Sequence, residues 1–212
     1  MIRKGAPWER PVSGSADVAV VGDDAALAGT VAGHPGVLVS YASDDGDLAR
    51  ALGLGGPTRG IEVSLDALRW SGGLAVNALV LGTPPDRQRR FTRSCGLAVR
   101  VDGRTWVEGP VTGLVVANGQ FLRGHDLVPR GHPGDGRLEV QAYRLPGRDR
   151  RAMRKRLTSG THVPHPGIET TSGRKVQVRT TRAVPLEVDG ASIATVTTLE
   201  VEIVRSAFRI LL

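Results

Sequence analysis

The chain has 212 residues, of which 40% are hydrophobic and only 4% aromatic, enough for one substantial domain or two small ones and too apolar for wholesale disorder. Its net charge of +7 could attract nucleic acid or an anionic surface, but no nucleic-acid motif accompanies the charge and few aromatics are available for base stacking, so a nucleic-acid partner is not expected. The single cysteine, Cys95, excludes an internal disulfide and a cysteine-cluster metal site, and makes the cytoplasm the default compartment.

Residues 1–15 read as an irregular arm. Met1-Ile-Arg-Lys-Gly5 has no apolar run behind its basic residues, so no signal peptide is expected, and no stretch reaches the roughly 20 apolar residues of a membrane span. Asp17-Val-Ala-Val-Val21 predicts a short buried strand, and Gly22-Asp23-Asp24 turns the chain. Ala25 to Ala32 is a run of small helix formers. Gly36-Val-Leu-Val-Ser40 predicts a second buried strand, followed by a loop at Ala42–Gly46 and a short helix over Asp47–Leu52 that Gly53 ends. This order implies parallel strands with crossover helices, which puts both acidic loops at the carboxyl ends of their strands, where open α/β sheets bind ligands.

Past Gly53-Leu-Gly-Gly-Pro57 the texture changes. Strands are expected at Ile61–Leu65, Leu74–Leu81, Leu97–Val101, Val111–Ala117, Leu138–Tyr143, Val176–Thr180, Leu186–Val188 and Leu199–Val204. Turn signals at Asp102-Gly103, Asn118-Gly119, Asp135-Gly136, Ser172-Gly173 and Asp189-Gly190 punctuate them, a pattern of antiparallel sandwiches or barrels. One helix, Arg148–Leu157, interrupts the strands. Its Arg150, Arg151, Arg154 and Lys155 share much of one face at helical spacing, a candidate for peripheral contact with anionic lipid. Four histidines, His125, His132, His162 and His165, lack the helical spacing of a zinc site, so no metal ligand set is expected from them.

The ordered pieces Val115-Val-Ala-Asn-Gly119-Gln-Phe-Leu-Arg-Gly124, Pro129, Asp135-Gly-Arg-Leu-Glu-Val140, Gly160-Thr-His162, Pro166-Gly167, Lys175-Val-Gln-Val-Arg179, Val188-Asp-Gly190 and Ala207-Phe-Arg-Ile-Leu-Leu212 resemble the C-terminal half of bacterial diacylglycerol-kinase-type lipid kinases. Leu48-Ala-Arg-Ala-Leu-Gly-Leu54 extends the resemblance toward the N-terminus, to residues 17–212 with about 82–110 shortened. The resemblance implies an α+β fold of the NAD kinase/diacylglycerol kinase type: a truncated α/β part over residues 1–58, completed by a returning C-terminal strand at 206–212, and a larger antiparallel β-sandwich over 59–205. It also implies ATP and Mg²⁺ as cofactors, if the activity is retained.

By the same resemblance Val21-Gly22-Asp23-Asp24-Ala25 stands where the family has Gly-Gly-Asp-Gly-Thr, and Ser43-Asp44-Asp45-Gly46-Asp47 where it has Gly-Thr-x-Asn-Asp. Gly22, Asp24, Asp44 and Asp47 then correspond to the nucleotide loops and Asp23 to a catalytic carboxylate. Asp189 matches the family's general base, although Asp-Gly is also an ordinary hairpin turn. Asn118 and Asp135 fall in loops bordering the substrate cleft. The departures are as informative. The family's opening Asn-Pro-x-Ser/Gly-Gly motif is missing, the glycines that let backbone amides approach a phosphate are replaced, and Asp-Gly-Glu is Asp189-Gly190-Ala191. Five carboxylates around one crevice would each oppose a phosphate by roughly 1–4 kcal/mol at about 4 Å.

Three functions stay open at this level. One is a pseudokinase acting as a binding or scaffold protein, with a small-molecule or lipid ligand in the interdomain cleft. Another is a lipid kinase transferring the ATP γ-phosphoryl group to a lipid hydroxyl. The third is an enzyme using the acidic cleft for acid–base chemistry on a small molecule. The many edge strands also make a homodimer an expectation.

Overall fold

The computed structural model describes residues 9–12, 14–54 and 60–212. Most of the expected N-terminal arm, and Gly55 to Pro57 of the glycine-rich linker, lie outside these residues. The strands are β1 (Glu9–Pro11), β2 (Val18–Val21), β3 (Leu38–Ala42), β4 (Ile61–Trp70), β5 (Gly73–Ala75), β6 (Ala78–Gly82), β7 (Cys95–Val101), β8 (Arg104–Val111), β9 (Gly113–Ala117), β10 (Phe121–Leu122), β11 (His125–Asp126), β12 (Leu138–Tyr143), β13 (Ile168–Gly173), β14 (Lys175–Val188) and β15 (Ala191–Leu211). The helices are α1 (Asp24–Gly33), α2 (Asp47–Leu52) and α3 (Arg150–Arg156).

The N-terminal part is a parallel β2–β3 pair with α1 as its crossover. Helix α1 starts where the Asp23 carboxylate accepts the Ala26 N–H at 2.9 Å, an N-cap that satisfies one orphan amide. It buries Leu27, Ala28 and Val31. Helix α2 ends at Gly53, whose φ of 65° lets its N–H return to the Ala49 and Arg50 carbonyls. The first residues expected to be irregular include a short edge strand, β1, paired antiparallel with Ile61–Val63. An edge is where Pro11 is tolerated, because no ladder donor is needed there.

The rest is an antiparallel sandwich, as the turn-punctuated strands predicted. β14 is its hub, pairing with β15, β6 and β7. β6 continues to β9, β12 and β13. Side chains such as Leu79, Leu81, Val99, Leu114, Val140, Leu186 and Val201 fill the space between the layers. Two hairpins use paired left-handed residues, Asp102-Gly103 and Asp189-Gly190, with φ of 49° and 79°, then 46° and 83°. Positive φ at both central positions matches the strand twist. The expected single strand over Leu74–Leu81 is divided at Val76-Asn77, and the separate runs Val176–Thr180 and Leu186–Val188 are one bulged strand.

β15 joins the two parts. Its first half pairs with β14 and its second half with β4, with a register shift between Val204 and Phe208 and Ser206 at φ 48°. Beyond the bend, Arg209 and Ile210 lie parallel to Leu38 and Val39 of β3. Phe208 and Ile210 enter the core beneath α1 with Val39, Val63 and Leu65. The bend is held by Asp66, a buried carboxylate in an apolar strand, which accepts the N–H groups of Ser206 and Gly136 at 2.8 and 2.6 Å. A third cluster, including Tyr143, Met153, Leu157 and Ile168, lies beneath α3. The basic face expected on α3 is smaller than its sequence implies. Arg150 is buried, and its guanidinium donates to the carbonyls of Leu145, Arg89, Arg90 and Thr92. Among the described residues no helix is long and apolar enough to cross a membrane.

Candidate functional site

The carboxyl ends of β2 and β3 frame an open crevice of about 500 Å³, lined by Val21, Gly22, Asp23, Ala26, Ala42, Ser43, Asp44 and Asp45. The parallel topology therefore brings Gly22, Asp23 and Asp44 together. Gly22 has φ 143°, and a Cβ there would stand 3.2 Å from that of Ala26. This glycine serves the tight entry into α1. Val21 is 83% exposed at the crevice wall, where a side chain blocks close approach to the backbone. Among the described residues no cationic side chain lines the crevice. The nearest basic residue in sequence, Arg50, lies over the Phe121 ring instead, 5.9 Å from its centroid.

Two of the acids are turned inward. Asp24 is buried, accepting the Tyr41 hydroxyl at 3.0 Å and the Leu48 N–H at 3.1 and 3.3 Å. Burial pushes its carboxyl up to about 6, against the pull of those donors, with the charges of Asp47 and Asp23 adding to the rise. Burial and the neighbouring Asp24 likewise push the Tyr41 phenol up. Asp47, also buried, accepts the backbone N–H groups of Arg123 and, at 2.7 Å, Gly124. It thus ties α2 to the short β10–β11 hairpin of the sandwich. Above that contact the Arg123 guanidinium is held between Asp86, at 2.6 and 3.1 Å, and Glu187. The Arg123 pairing outweighs desolvation and holds the Asp86 carboxyl below the usual range.

Asp189 occupies the β14–β15 hairpin and is 8% exposed. Its carboxylate accepts three consecutive backbone N–H groups, of Val76, Asn77 and Ala78, each at 2.9 Å. These contacts explain the break between β5 and β6: the amides there are capped by a carboxylate from the β14–β15 turn. Burial pushes the Asp189 carboxyl up to about 7; the three amides oppose the rise and the charge of Asp24 adds to it.

Asn118 and Asp135 do not line the crevice. Asn118 is 1% exposed, and its amide donates to the carbonyls of Asp66 and Val76 at 2.8 and 2.9 Å. Asp135 is exposed and accepts the Arg137 N–H at 2.9 Å. Among the described residues no three His, Cys, Asp or Glu side chains stand close enough to hold a metal ion. Among the described residues, the crevice lining is therefore acidic and small, with neither a three-residue metal-ligand set nor a cationic side chain.

Sequence reasoning missed Tyr41, Asp66, Asp86, Arg123 and Glu187. Asp66 carried a signal, being the one acid in the stretch Val63–Leu68. Arg123 carried one too, at φ 49° in a glycine-bounded loop. The others are recognisable only from their partners.

Residues 89–212 match the family described as the YegS C-terminal NAD kinase beta sandwich-like domain. Among solved structures the chain is similar to a candidate diacylglycerol kinase from Bacillus anthracis str. Sterne, at 15% identity and a TM-score of 0.74, over 92% of this chain and 78% of that one. A diacylglycerol kinase structure from the same organism gives 16% identity, a TM-score of 0.70, and coverage of 92% and 76%. An NAD kinase from Archaeoglobus fulgidus in complex with ATP is similar at 14% identity and a TM-score of 0.54, with coverage of 92% and 78%. No curated protein matches the sequence. The chain belongs to the family of the YegS C-terminal NAD kinase beta sandwich-like domain, whose match covers more than half of it, and it shares the fold of the diacylglycerol kinase and NAD kinase structures.

Proposed function

We propose that this member of the family is a binding protein that uses the kinase fold without binding ATP. One observation carries the reading: the crevice where the fold would take a nucleotide is lined by Asp23, Asp44, Asp45 and the exposed Val21, with no cationic side chain among the described residues. At about 4 Å each carboxylate opposes a phosphate by roughly 1–4 kcal/mol. Asp24 and Asp47 support the same reading, because their oxygens are already engaged: those of Asp24 by the Tyr41 phenol and the Leu48 amide within the N-terminal part, those of Asp47 by the Arg123 and Gly124 amides that tie α2 to the β10–β11 hairpin. Its ligand on this proposal is a small molecule or lipid headgroup without a polyphosphate.

A second reading, acid–base chemistry on a small molecule, draws support from Asp24 at about 6 and Asp189 at about 7, two carboxyls brought near neutrality close to one another. Against it, both are buried and hydrogen-bonded.

Thermal unfolding in rising Mg-ATP tests the proposal. Saturating nucleotide at about 100 times its Kd would stabilise the fold by about 2.7 kcal/mol, or roughly 5–10 °C for a chain of this size. We expect no shift at millimolar Mg-ATP. A saturable upward shift, together with phosphoryl transfer to a diacylglycerol, would overturn the proposal in favour of an active lipid kinase.

A further inference from the structure

The outer face of the β12–β13 pair carries a polar groove separate from the acidic crevice. Side chains alternate along a strand. Leu138, Val140 and Ala142 point into the sandwich core, so Glu139, Gln141 and Tyr143 share the opposite face. The register sets Ser172 beside Glu139 and Thr170 beside Gln141. At one end of this face Tyr143 and Ile168 are covered within the cluster beneath α3. At the other end the cover gives way to an opening of about 440 Å³, with Val128–Arg130 and Val163-Pro164 among its walls.

The floor of the opening is organised. Gln141 is 3% exposed, and its Oε1 accepts the Tyr143 hydroxyl at 2.6 Å. Nε2 of His162, a residue 1% exposed, stands 3.4 Å from the same hydroxyl. With Oε1 accepting from Tyr143, Nε2 is the end of the amide left for the groove. Among the described residues no acceptor takes a hydrogen bond from that Nε2, and Gln141 lines the opening, so a group bound there can accept from it. Glu139, half-buried two residues away, offers acceptors to the same space, and Arg130 stands at the rim. Side chains at this spacing arise about 7 Å apart on the strand, a separation that a compact ligand bearing several hydroxyls can bridge.

We propose that this groove binds a neutral polyhydroxylated group, a sugar or polyol, with Gln141 donating to one hydroxyl and Glu139 accepting from another. An anion would meet the Glu139 carboxylate and the Asp135 charge near it, while a cation would meet the amide donor and Arg130. A polyol uses donor and acceptor together. Its C–H faces can pack on Pro129, Val163 and Pro164. The proposal stands independently of how the acidic crevice is read.

The test is a titration of the ¹⁵N-labelled full chain with myo-inositol, D-glucose and octyl glucoside below its micelle concentration. It is followed through the Gln141 side-chain amide and the backbone amides of Thr170–Ser172. Saturable shifts at these groups are expected with at least one probe. Tighter binding of octyl glucoside than of glucose assigns the sugar to a lipid-borne source; equal or weaker binding assigns it to a free one. Gln141→Glu keeps the acceptor for Tyr143 but removes the donor, and should weaken binding about tenfold, the worth of one hydrogen bond. Thr170→Tyr fills the opening from an exposed position without touching the Tyr143–His162 contact, and should abolish binding. No saturable shift with any of the three probes, or shifts that persist in Thr170→Tyr, would overturn the proposal.

Discussion

Replacing Asp24 by asparagine should make the protein more resistant to unfolding at alkaline pH while leaving it little changed at acid pH. The carboxyl is raised from 3.8 to about 6 because burial disfavours its charged form more than Tyr41 and Leu48 favour it. A folded-state pKa above the unfolded one means that the group's contribution is fully present below about pH 4 and is lost as pH rises through about 6. At about 1.4 kcal/mol per pKa unit the full difference is about 3 kcal/mol, of which roughly half falls between pH 5 and 8. In thermal terms that half is about 3–6 °C for a chain of this size. The asparagine side chain would retain the native contacts, since Oδ1 of Asp24 already lies within reach of both the Tyr41 hydroxyl and the Leu48 N–H. The assay is the urea or thermal midpoint of wild type and Asp24→Asn at half-unit steps from pH 5 to 8. The wild-type curve should fall more steeply, and the gap should widen toward pH 8. Parallel curves, or a variant destabilised equally at every pH, would refute the desolvation argument.

Asp189→Ala would leave three buried amides, at Val76, Asn77 and Ala78, without their acceptor; at about 1–3 kcal/mol for each unsatisfied buried group the urea midpoint should fall sharply, and Asp189→Asn should fall less. Arg123→Ala would leave Asp86 and Glu187 without their shared cation, at a cost of about 3–5 kcal/mol, and Asp86→Asn in that background should recover part of it in equilibrium unfolding. Deleting Ala207–Leu212 removes Phe208 and Ile210, both fully buried; at about 3–5 and 2–5 kcal/mol these exceed much of a typical domain's stability, and loss of cooperative unfolding by circular dichroism is expected.

The C-terminal half was legible because its signals are local. Asp102-Gly103 and Asp189-Gly190 demand left-handed backbone, and alternating apolar residues such as Leu138, Val140 and Ala142 mark a strand with one buried face. The division of Leu74–Leu81 was not legible, because what breaks it is the Asp189 carboxylate more than a hundred residues away. Asp23, Asp24 and Asp44 could be read as neighbours from the order of strands and helices alone. Which of them faces solvent and which faces Tyr41 could not, since a carboxylate's role depends on the donors that meet it.

By itself the sequence determined the lineage, the parallel N-terminal pair, the antiparallel sandwich and the concentration of acids at the strand ends. The lineage came from the resemblance of its ordered pieces to a known family, and the rest follows from periodicity, turn chemistry or residue order, which act over a few positions. Only the tertiary structure decided what the charged groups do. Asp24, Asp47 and Asp66 became anchors for distant amides, Arg150 became a buried clamp rather than part of a basic surface, and Gln141 turned its donor into an open groove. Burial and hydrogen-bond partners set the behaviour of a polar group, and both are supplied by segments far away in the chain.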